Sequence, residues 1–303
     1  MKAKNNYISS RQSPYITNIH HIDEDYSSHV HMLRKDLTLS LSTEFSRHNR
    51  YTDFYDIRSD NENLKRLFLF EEPDYFRYNF DQLLSWTLYN LISARKAYIE
   101  IVILKNNNGQ VVGLSLASFD AIKYLTTNRT SYFVSKNHEK KHVYFKIPVN
   151  HYIEFSLKSL GLGKNYFKRL FRKIKKLDRY SAISFLTDDK MRSKFDSKMW
   201  MKKQDFDILQ YPRKIGWHRG SDNKLLSKSY LLYRTIEYKL FRQKCMEYLL
   251  QTINKALKLI NDEIGAIGEI IVAASLLDYK QEWQRYINGE ICASELSKII
   301  YGI

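Results

Sequence analysis

The spacing of hydrophobic residues along the chain predicts a mixture of helices and strands. Between residues 61 and 95, apolar side chains recur at intervals of three and four, which is typical of a helix with one buried face. These side chains are Phe76, Phe80, Leu83, Leu84, Leu88 and Leu91. Pro73 and Asp74 precede them, and both residue types favour the first turn of a helix. We therefore expect a long helix that ends near Ala94.

Residues 97–157 predict an antiparallel sheet of four or five strands. The expected strands are rich in β-branched and aromatic residues, and they are AYIEIVIL, QVVGLSL, SYFVS, KHVYFKI and HYIEFSL. The first two are joined by Asn106–Gly109, whose residue types tolerate the positive φ of a tight hairpin. The segment FDAIKYL, which follows the second strand, is expected to start a short helix.

The hairpin around Asn106–Gly109 is predicted to be a structural scaffold. Its strands carry more apolar side chains than one covered face requires, so we expect both faces to be covered, one of them by the preceding helix. Glu100 is the one acidic residue between Tyr98 and Ala117. We expect it at a rim of the sheet, where water or a cation satisfies its charge.

Beyond residue 157 the pattern becomes mainly helical. Gly161 and Gly163 indicate a loop before a helix that starts at Asn165. After residue 225, three helices are predicted, at Leu226–Ile260, residues 267–287 and residues 294–300. The first of these has an apolar stripe that must be covered by the core or by another subunit.

Together these patterns predict an α+β fold, in which a small antiparallel sheet is flanked by helices and followed by a helical C-terminal region. The expected division is a polar N-terminal arm at residues 1–60, an α+β core at residues 61–225 and the helical region at residues 226–303. One short strand, Leu37–Phe45, is expected in the arm because apolar and polar residues alternate there.

The net charge of +16 matters because most of it falls in one segment. Residues 158–219 carry 18 basic and 6 acidic side chains, a net charge of +12. In the helix after Asn165, cations occupy the face opposite the apolar stripe, and Asp178 is the one acidic residue near them. Such a basic block is typical of proteins that bind nucleic-acid phosphates. The alternative is an ordinary solvated face, although such faces normally mix both charge signs.

Aromatic residues alternate with further cations in the second part of this basic block. Trp200, Tyr211 and Trp217 stand among lysines and arginines, a combination that supplies base stacking together with phosphate contacts. The two tryptophans are equally compatible with positions in the core. The predicted nucleic-acid-binding residues are Lys164, Lys168, Arg169, Arg172, Lys173, Lys175, Lys176, Arg179, Lys202, Lys203, Arg213, Lys214, Trp217 and Arg219.

The sequence contains no recognisable catalytic, metal-binding or cofactor-binding motif. GxSxG, HExxH and GxGxxG patterns are absent, and Cys245 and Cys292 form no CxxC pair. A metal-dependent nuclease needs carboxylates and a lysine close to a metal ion. The residues that come nearest to this requirement are Glu154 paired with Glu100 across the sheet, or Glu154 with Lys158, but their spacing is loose. A histidine-rich stretch at residues 20–31 is more typical of a solvated segment than of a metal site. We therefore predict no catalytic residue, no metal and no cofactor.

The cellular setting is predicted to be cytoplasmic. No apolar run approaches the roughly 18 residues that a membrane-spanning helix needs, so no membrane association is expected. The first residues show no apolar stretch typical of a signal peptide. Two cysteines in predicted helices fit a reducing compartment.

The order of elements resembles that of the portal proteins, or head-to-tail connectors, of tailed bacteriophages. The resemblance rests first on the segment AYIEIVILKNNNGQVVGLSL, which follows a predicted helix. It rests also on YFKIPVNHYIEFSL, which precedes a glycine-containing loop and a helix. The tail EWQRYINGEICASELSKIIYG shows it more faintly. It covers roughly residues 76–180. In that family the first strand often starts with Gly-Asn-Ala-Tyr, where this chain has Arg95, Lys96, Ala97 and Tyr98. The resemblance implies a ring-forming subunit located in the virion.

The predicted function is a non-enzymatic, phage-related structural or interaction protein that self-assembles and contacts nucleic acid, either DNA or RNA. A homo-oligomer or another protein partner is expected at the apolar stripe of the long helix. The alternative is a bacterial antiphage-defence protein that binds nucleic acid or a phage component, with or without nuclease activity. A helical adaptor is the third candidate.

Overall fold

The computed structural model of the chain describes residues 8–13, 27–38, 55–62, 73–136, 141–183, 206–218, 227–263, 270–274 and 278–301. Helices and antiparallel sheets are both present in these segments, and the C-terminal region is largely helical. The α+β fold predicted from the sequence is therefore confirmed.

The strands are β1 (Ile8–Ser9), β2 (Tyr55–Ser59), β3 (Lys96–Lys105), β4 (Val111–Phe119), β5 (Ile122–Thr126), β6 (Thr130–Lys136), β7 (His142–Pro148), β8 (Tyr152–Ser156) and β9 (Ile270–Ala274). The longer helices are α1 (Ser28–Thr38), α2 (Pro73–Ala94), α3 (Tyr166–Ile183), α4 (Lys228–Glu263), α5 (Tyr279–Ile287) and α6 (Ala293–Tyr301). Among the described helices, none combines the length and the apolar composition needed to cross a membrane.

The chain divides into two units, each built from segments that are distant in sequence. The first, which we call the sheet unit, comprises Met1–Ile22, Thr38–Leu162 and Met246–Ser275. The second, the helical unit, comprises Asp23–Leu37, Gly163–Cys245 and Leu276–Ile303. These boundaries differ from those predicted at residues 60 and 225, because hydrophobic periodicity locates elements but does not reveal which distant elements pack together.

Strand β3 is the centre of the main sheet in the sheet unit. It pairs with β4 along one edge, where Tyr98 lies opposite Phe119 and Ile103 lies opposite Leu114. Along the other edge it pairs with β8 near its start and with β1 near its end. Residues 97–103 are all buried, and helix α2 packs against β3 and β4. Both faces of β3 are thus covered, as predicted, whereas β4 is only partly buried.

A second sheet, formed by β5, β6 and β7, packs on the first through aromatic side chains. Tyr98 and Phe119 of the main sheet meet Phe133 and Ile147 of the second, and all four are at most 3% exposed. The ring centroids of Phe119 and Phe133 are 5.2 Å apart and the rings meet edge to face, an arrangement that aromatic pairs favour. The strands therefore form two packed sheets where the sequence predicted one, and β2 pairs separately with β9.

Glu100 is buried in the main sheet, and main-chain N–H groups satisfy its charge. The carboxylate accepts hydrogen bonds from the main-chain nitrogens of Gln12 at 2.8 Å and Ser13 at 3.0 Å, and also from Ser13 Oγ. Ile103 N donates to Ser10 Oγ at 2.7 Å, so residues 8–13 form a strap along the edge of β3. The prediction that Glu100 lies at a rim is wrong, because the strap supplies donors that the strand sequence does not reveal.

Three predicted elements differ from those observed. Ile122–Thr126, expected to be helical, is a strand because it pairs with β6. Residues 267–287, expected to form one helix, include strand β9, and helix α5 begins only at Tyr279. Leu37–Phe45, expected to be a strand, begins inside helix α1, and its later residues lie outside the described segments.

Helix α4 begins and ends close to the predicted positions, and most of its apolar stripe is buried within the chain, whereas Tyr233 is 37% exposed. Ile236, Cys245, Leu249, Ile253 and Leu257 are each at most 1% exposed. The core therefore covers these five residues of the stripe. Self-assembly of the chain stays a prediction.

Replacing Glu100 with Gln tests the role of the strap. The amide keeps the shape of the side chain but removes the negative charge that accepts hydrogen bonds from the N–H groups of Gln12 and Ser13. We therefore expect a loss of about 1.5–3 kcal/mol in the free energy of unfolding. Urea denaturation measures the loss, and hydrogen exchange at the two amides should accelerate. Glu62→Gln, at an exposed carboxylate of the same unit, is the matched control. Equal stability of the two variants would contradict this account of Glu100.

Candidate nucleic-acid interface

Helix α3 presents a continuous basic face to solvent. The side chains of Lys168, Arg169, Arg172, Lys173 and Lys176 are exposed, and they follow one another at the three- and four-residue spacing of a single helix face. Lys164, just before the helix, is also exposed, and Lys175 is half-buried. Residues 164–176 contain no aspartate or glutamate. Cations therefore meet solvent here without acidic residues interspersed among them.

The opposite face of α3 anchors the helix in the helical unit. Phe167, Leu170, Phe171 and Ile174 are at most 6% exposed. The guanidinium of Arg34, on α1, lies 4.7 Å from the centroid of the Phe171 ring, within the range of a cation–π contact. The amphipathic helix predicted from the sequence is confirmed, and its buried face fixes the direction in which the cations project.

A loop at residues 211–218, which follows the helical residues 206–210, brings two more predicted cations to the same region. Arg213 and Lys214 are exposed on a short 3₁₀ helix, Arg213–Ile215. Lys214 Nζ lies 5.8 Å from the centroid of the Tyr166 ring, and Lys173 Nζ lies 5.1 Å from that of Tyr211. These contacts link the loop to α3, so cations distant in sequence belong to one surface.

An open pocket of about 450 Å³ lies at the start of α3. It is lined by Gly163, Lys164, Asn165, Tyr166, Arg169, Leu170, Lys173 and Tyr211. Burial raises the pKa of Tyr166 to about 12, against the opposing effect of the Arg234 charge. Burial also raises the pKa of Tyr211, and the neighbouring Asp207 adds to that effect. Both phenols are therefore neutral near pH 7 and do not offset the positive charge of the lysines and the arginine.

The buried guanidinium of Arg234 holds the loop that carries Arg213 and Lys214. Its Nη2 donates to the main-chain oxygens of Leu209 at 3.0 Å and Trp217 at 2.9 Å, and its Nε donates to that of Gly216 at 3.3 Å. Three carbonyl groups thus converge on one side chain of α4, one from helical residue Leu209 and two from the loop that follows it.

The main chain of α4 approaches the loop so closely at Gly216 that only glycine fits. A Cβ atom there would lie 2.3 Å from Tyr238 N and 2.7 Å from Arg234 O. Gly216 also has a φ of +69°, in the left-handed region that glycine adopts readily. The position of the loop is therefore determined by direct main-chain packing.

The prediction that Trp217 binds nucleic acid is wrong, because its side chain is buried. Its side chain is 1% exposed, and its Nε1 donates to Asp36 Oδ2 at 2.9 Å, so the ring is a core anchor and offers no face for stacking. Tyr166 and Tyr211, in contrast, lie beside the basic face although neither is among the predicted residues. The alternation of Tyr211 with Arg213 and Lys214 is the sequence signal that indicates such a position.

Four other predicted residues cannot be placed on this surface. Lys202, Lys203 and Arg219 lie outside the described residues. Arg179 belongs to the second half of α3, but its side chain is outside the described part of the structure.

The carboxylates considered for a nuclease site are occupied by structural contacts. Glu154 forms ion pairs with Lys96 at 2.5 Å and with Lys123, whereas Glu100 receives the strap amides. Burial alone would raise the pKa of Glu154, but hydrogen bonds from Lys123 and Lys96 outweigh burial and lower it. Within the described segments, no group of three or more His, Cys, Asp or Glu residues is arranged to hold a metal ion.

Comparisons with known proteins add no assignment. No protein-family model matches the sequence, and no curated protein sequence matches it significantly.

Replacing Gly216 with Ala tests whether main-chain packing positions the loop. The new Cβ overlaps α4 and is held at positive φ, so we expect a loss of about 2–5 kcal/mol in the free energy of unfolding. Gly289→Ala is the matched control, because Gly289 has a φ of +76° but no atom within 4 Å of the added Cβ. That control should lose only about 1–2 kcal/mol. Equal losses in thermal unfolding would show that packing at Gly216 is unimportant.

Proposed function

We propose that the chain binds nucleic acid through its phosphate backbone, using the basic face of α3 together with Arg213 and Lys214. The observation that carries the proposal is the segment 164–176, which holds seven lysine or arginine residues and no acidic residue. Lysine and arginine side chains that neutralise phosphates release condensed counterions, and this release supplies most of the sequence-independent affinity.

The spacing of the cations favours a polyanionic partner. Lys168 and Arg172, Arg169 and Lys173, and Arg172 and Lys176 are pairs of like charge four residues apart. Each such pair destabilises a helix by roughly 0.2–0.5 kcal/mol. A row of phosphates beside this face reverses the effect, because every cation then meets an opposite charge.

The dimensions of the face fit a nucleic-acid backbone. Lys168 and Lys176 are separated by about 12 Å along the helix axis at the usual rise per residue. A duplex presents about seven phosphate charges over that length of its own axis. The face therefore has the length and the charge density to contact several phosphates at once.

A portal-like assembly is the second candidate, and one observation favours it. Arg95 has a φ of +71°, and its N–H bonds to the carbonyl oxygen of Leu91 at the end of α2. This left-handed conformation is the one that glycine adopts most readily, and glycine is the residue that the portal family often has at this position. The connection between α2 and β3 therefore has the main-chain conformation that a glycine at this position, as in the portal family, would favour.

Removing four cations from α3 tests the nucleic-acid proposal. The variant carries Lys168→Ala, Arg169→Ala, Arg172→Ala and Lys173→Ala. If each cation neutralises one phosphate of a labelled duplex, the negative slope of log affinity against log salt concentration should become less steep by about 3–4. Fluorescence anisotropy at several salt concentrations measures the slope. Thermal stability should change little, because the removal of like-charge pairs offsets the lost contact between Lys173 and the Tyr211 ring.

The matched control removes the same net charge at exposed lysines elsewhere. It carries Lys105→Ala, Lys244→Ala, Lys280→Ala and Lys298→Ala, all at exposed positions. This variant should keep most of the affinity and the slope. An equal loss in both variants would show that total charge alone governs binding, and no loss in the α3 variant would exclude α3 as the interface.

The portal-like candidate predicts a closed ring. Native mass spectrometry of the purified chain should then show one dominant oligomer, and negative-stain images should show a central opening, because head-to-tail interfaces close by rotation. A chain that stays monomeric across the accessible concentration range would contradict this candidate and leave the nucleic-acid proposal intact.

A further inference from the structure

The outer face of the sheet β5–β6–β7 is a second surface with unusual chemistry. Side chains alternate along β6, so that Ser131, Phe133 and Ser135 are buried while the residues between them point away from the core. Strand β7 alternates in the same way, with His142, Tyr144 and Lys146 exposed. The sheet thus buries one face and exposes the other.

Large apolar and aromatic side chains are concentrated on this outer face. Ile122 is 71% exposed, Tyr144 67%, Tyr124 54% and Leu125 51%. Single exposed apolar residues are normal on protein surfaces, but a contiguous group on one sheet face indicates a binding surface.

The tyrosines form a connected group of rings. The centroid of Tyr124 is 6.3 Å from that of Tyr132 and 6.2 Å from that of Tyr144. An irregularity in the pairing of β5 with β6, between Lys123 and Leu125, accommodates Tyr124 as an extra residue in β5. Three rings, one from each strand, thereby share one side of the sheet.

The charged side chains that the three strands place on this face, Lys136 and Lys146, are both cations. Lys136 and Lys146 are exposed, and His142 lies beside Tyr144, with ring centroids 6.4 Å apart. The three strands contain no aspartate or glutamate. Lys123 belongs to the opposite face, where it pairs with Glu154. Exposed rings flanked by cations are the combination that binds unpaired bases and their phosphates.

We propose that this outer face binds single-stranded nucleic acid by stacking bases on Tyr124, Tyr132 and Tyr144. Lys136 and Lys146 contact the phosphates of the same strand. This site belongs to the sheet unit and goes beyond the phosphate-binding role of α3 in the helical unit, so either proposal can fail without the other.

A second copy of the chain is a poorer occupant of this face. In a symmetric dimer the same patch contacts itself, which would bring Lys136 and Lys146 of one copy to those of the other. Like charges facing each other in this way oppose association. A single strand of nucleic acid supplies both flat apolar bases and negative charge, and so matches the whole face.

The double variant Tyr124→Ala with Tyr144→Ala tests this site. Stacking on an aromatic ring is worth enough that binding of a labelled oligothymidine should weaken about tenfold or more. Binding of a duplex of similar length should not change, because its bases are already stacked. The salt slope of single-strand binding should also stay constant, since no cation is removed. In the α3 variant, by contrast, the dependence of duplex affinity on salt concentration should become less steep.

Two controls keep the test decisive. Tyr124→Phe with Tyr144→Phe retains the rings and should bind like the unmodified chain, whereas Ile287→Ala removes an exposed apolar residue from the helical unit and should have no effect. Oligonucleotides carrying 5-iodouracil should crosslink to peptides from β5 or β7.

Several outcomes would overturn the proposal. These are unchanged single-strand affinity in the alanine variant, equal weakening toward duplex and single strand, or crosslinks confined to other peptides. Loss of binding to anionic lipid vesicles, with oligonucleotide binding intact, would show a membrane surface in place of a base-binding one. Self-association that the alanine variant abolishes, with unchanged oligonucleotide affinity, would show an interface between copies.

Discussion

The hydrogen bonds of the buried Arg234 guanidinium determine where the basic surface of the helical unit lies. Its nitrogens donate to the carbonyl oxygens of Leu209, Gly216 and Trp217. A buried cation that loses such acceptors costs several kcal/mol, so the loop cannot leave α4 without a large penalty. Arg213 and Lys214 lie between these anchor points. Their place beside α3 therefore follows from one side chain and from the missing Cβ of Gly216.

A balance of two energies allows α3 to keep its cations together. Burial of Phe167, Leu170, Phe171 and Ile174 contributes roughly 1.5–3 kcal/mol for each side chain. The like-charge pairs on the exposed face cost only about 0.2–0.5 kcal/mol each. Burial exceeds repulsion several times over, so the helix is stable before any partner binds. The proposed interface would therefore need no binding free energy to order the helix.

The spacing of apolar residues was sufficient to predict the position of an element that buries one continuous face, as in α2, α3 and α4. It failed where a distant partner decides the outcome. Ile270–Ala274 becomes a strand because Tyr55–Ser59 pairs with it, and Glu100 is buried because Gln12 and Ser13 supply N–H donors. Neither partner is near in sequence. The basic face of the site was predictable from charge alone, whereas the burial of Trp217 depends on Asp36, a residue of another helix.

The two candidate surfaces make different physical demands on one ligand. The α3 face needs closely spaced phosphates, which both duplexes and single strands provide, and its affinity falls as salt rises. The tyrosine face needs exposed base rings, which a duplex withholds, and stacking depends little on salt. Because the two proposed sites respond differently to salt, the proposals together predict that discrimination of single strand from duplex is strongest at high ionic strength, where the phosphate contribution weakens and stacking persists.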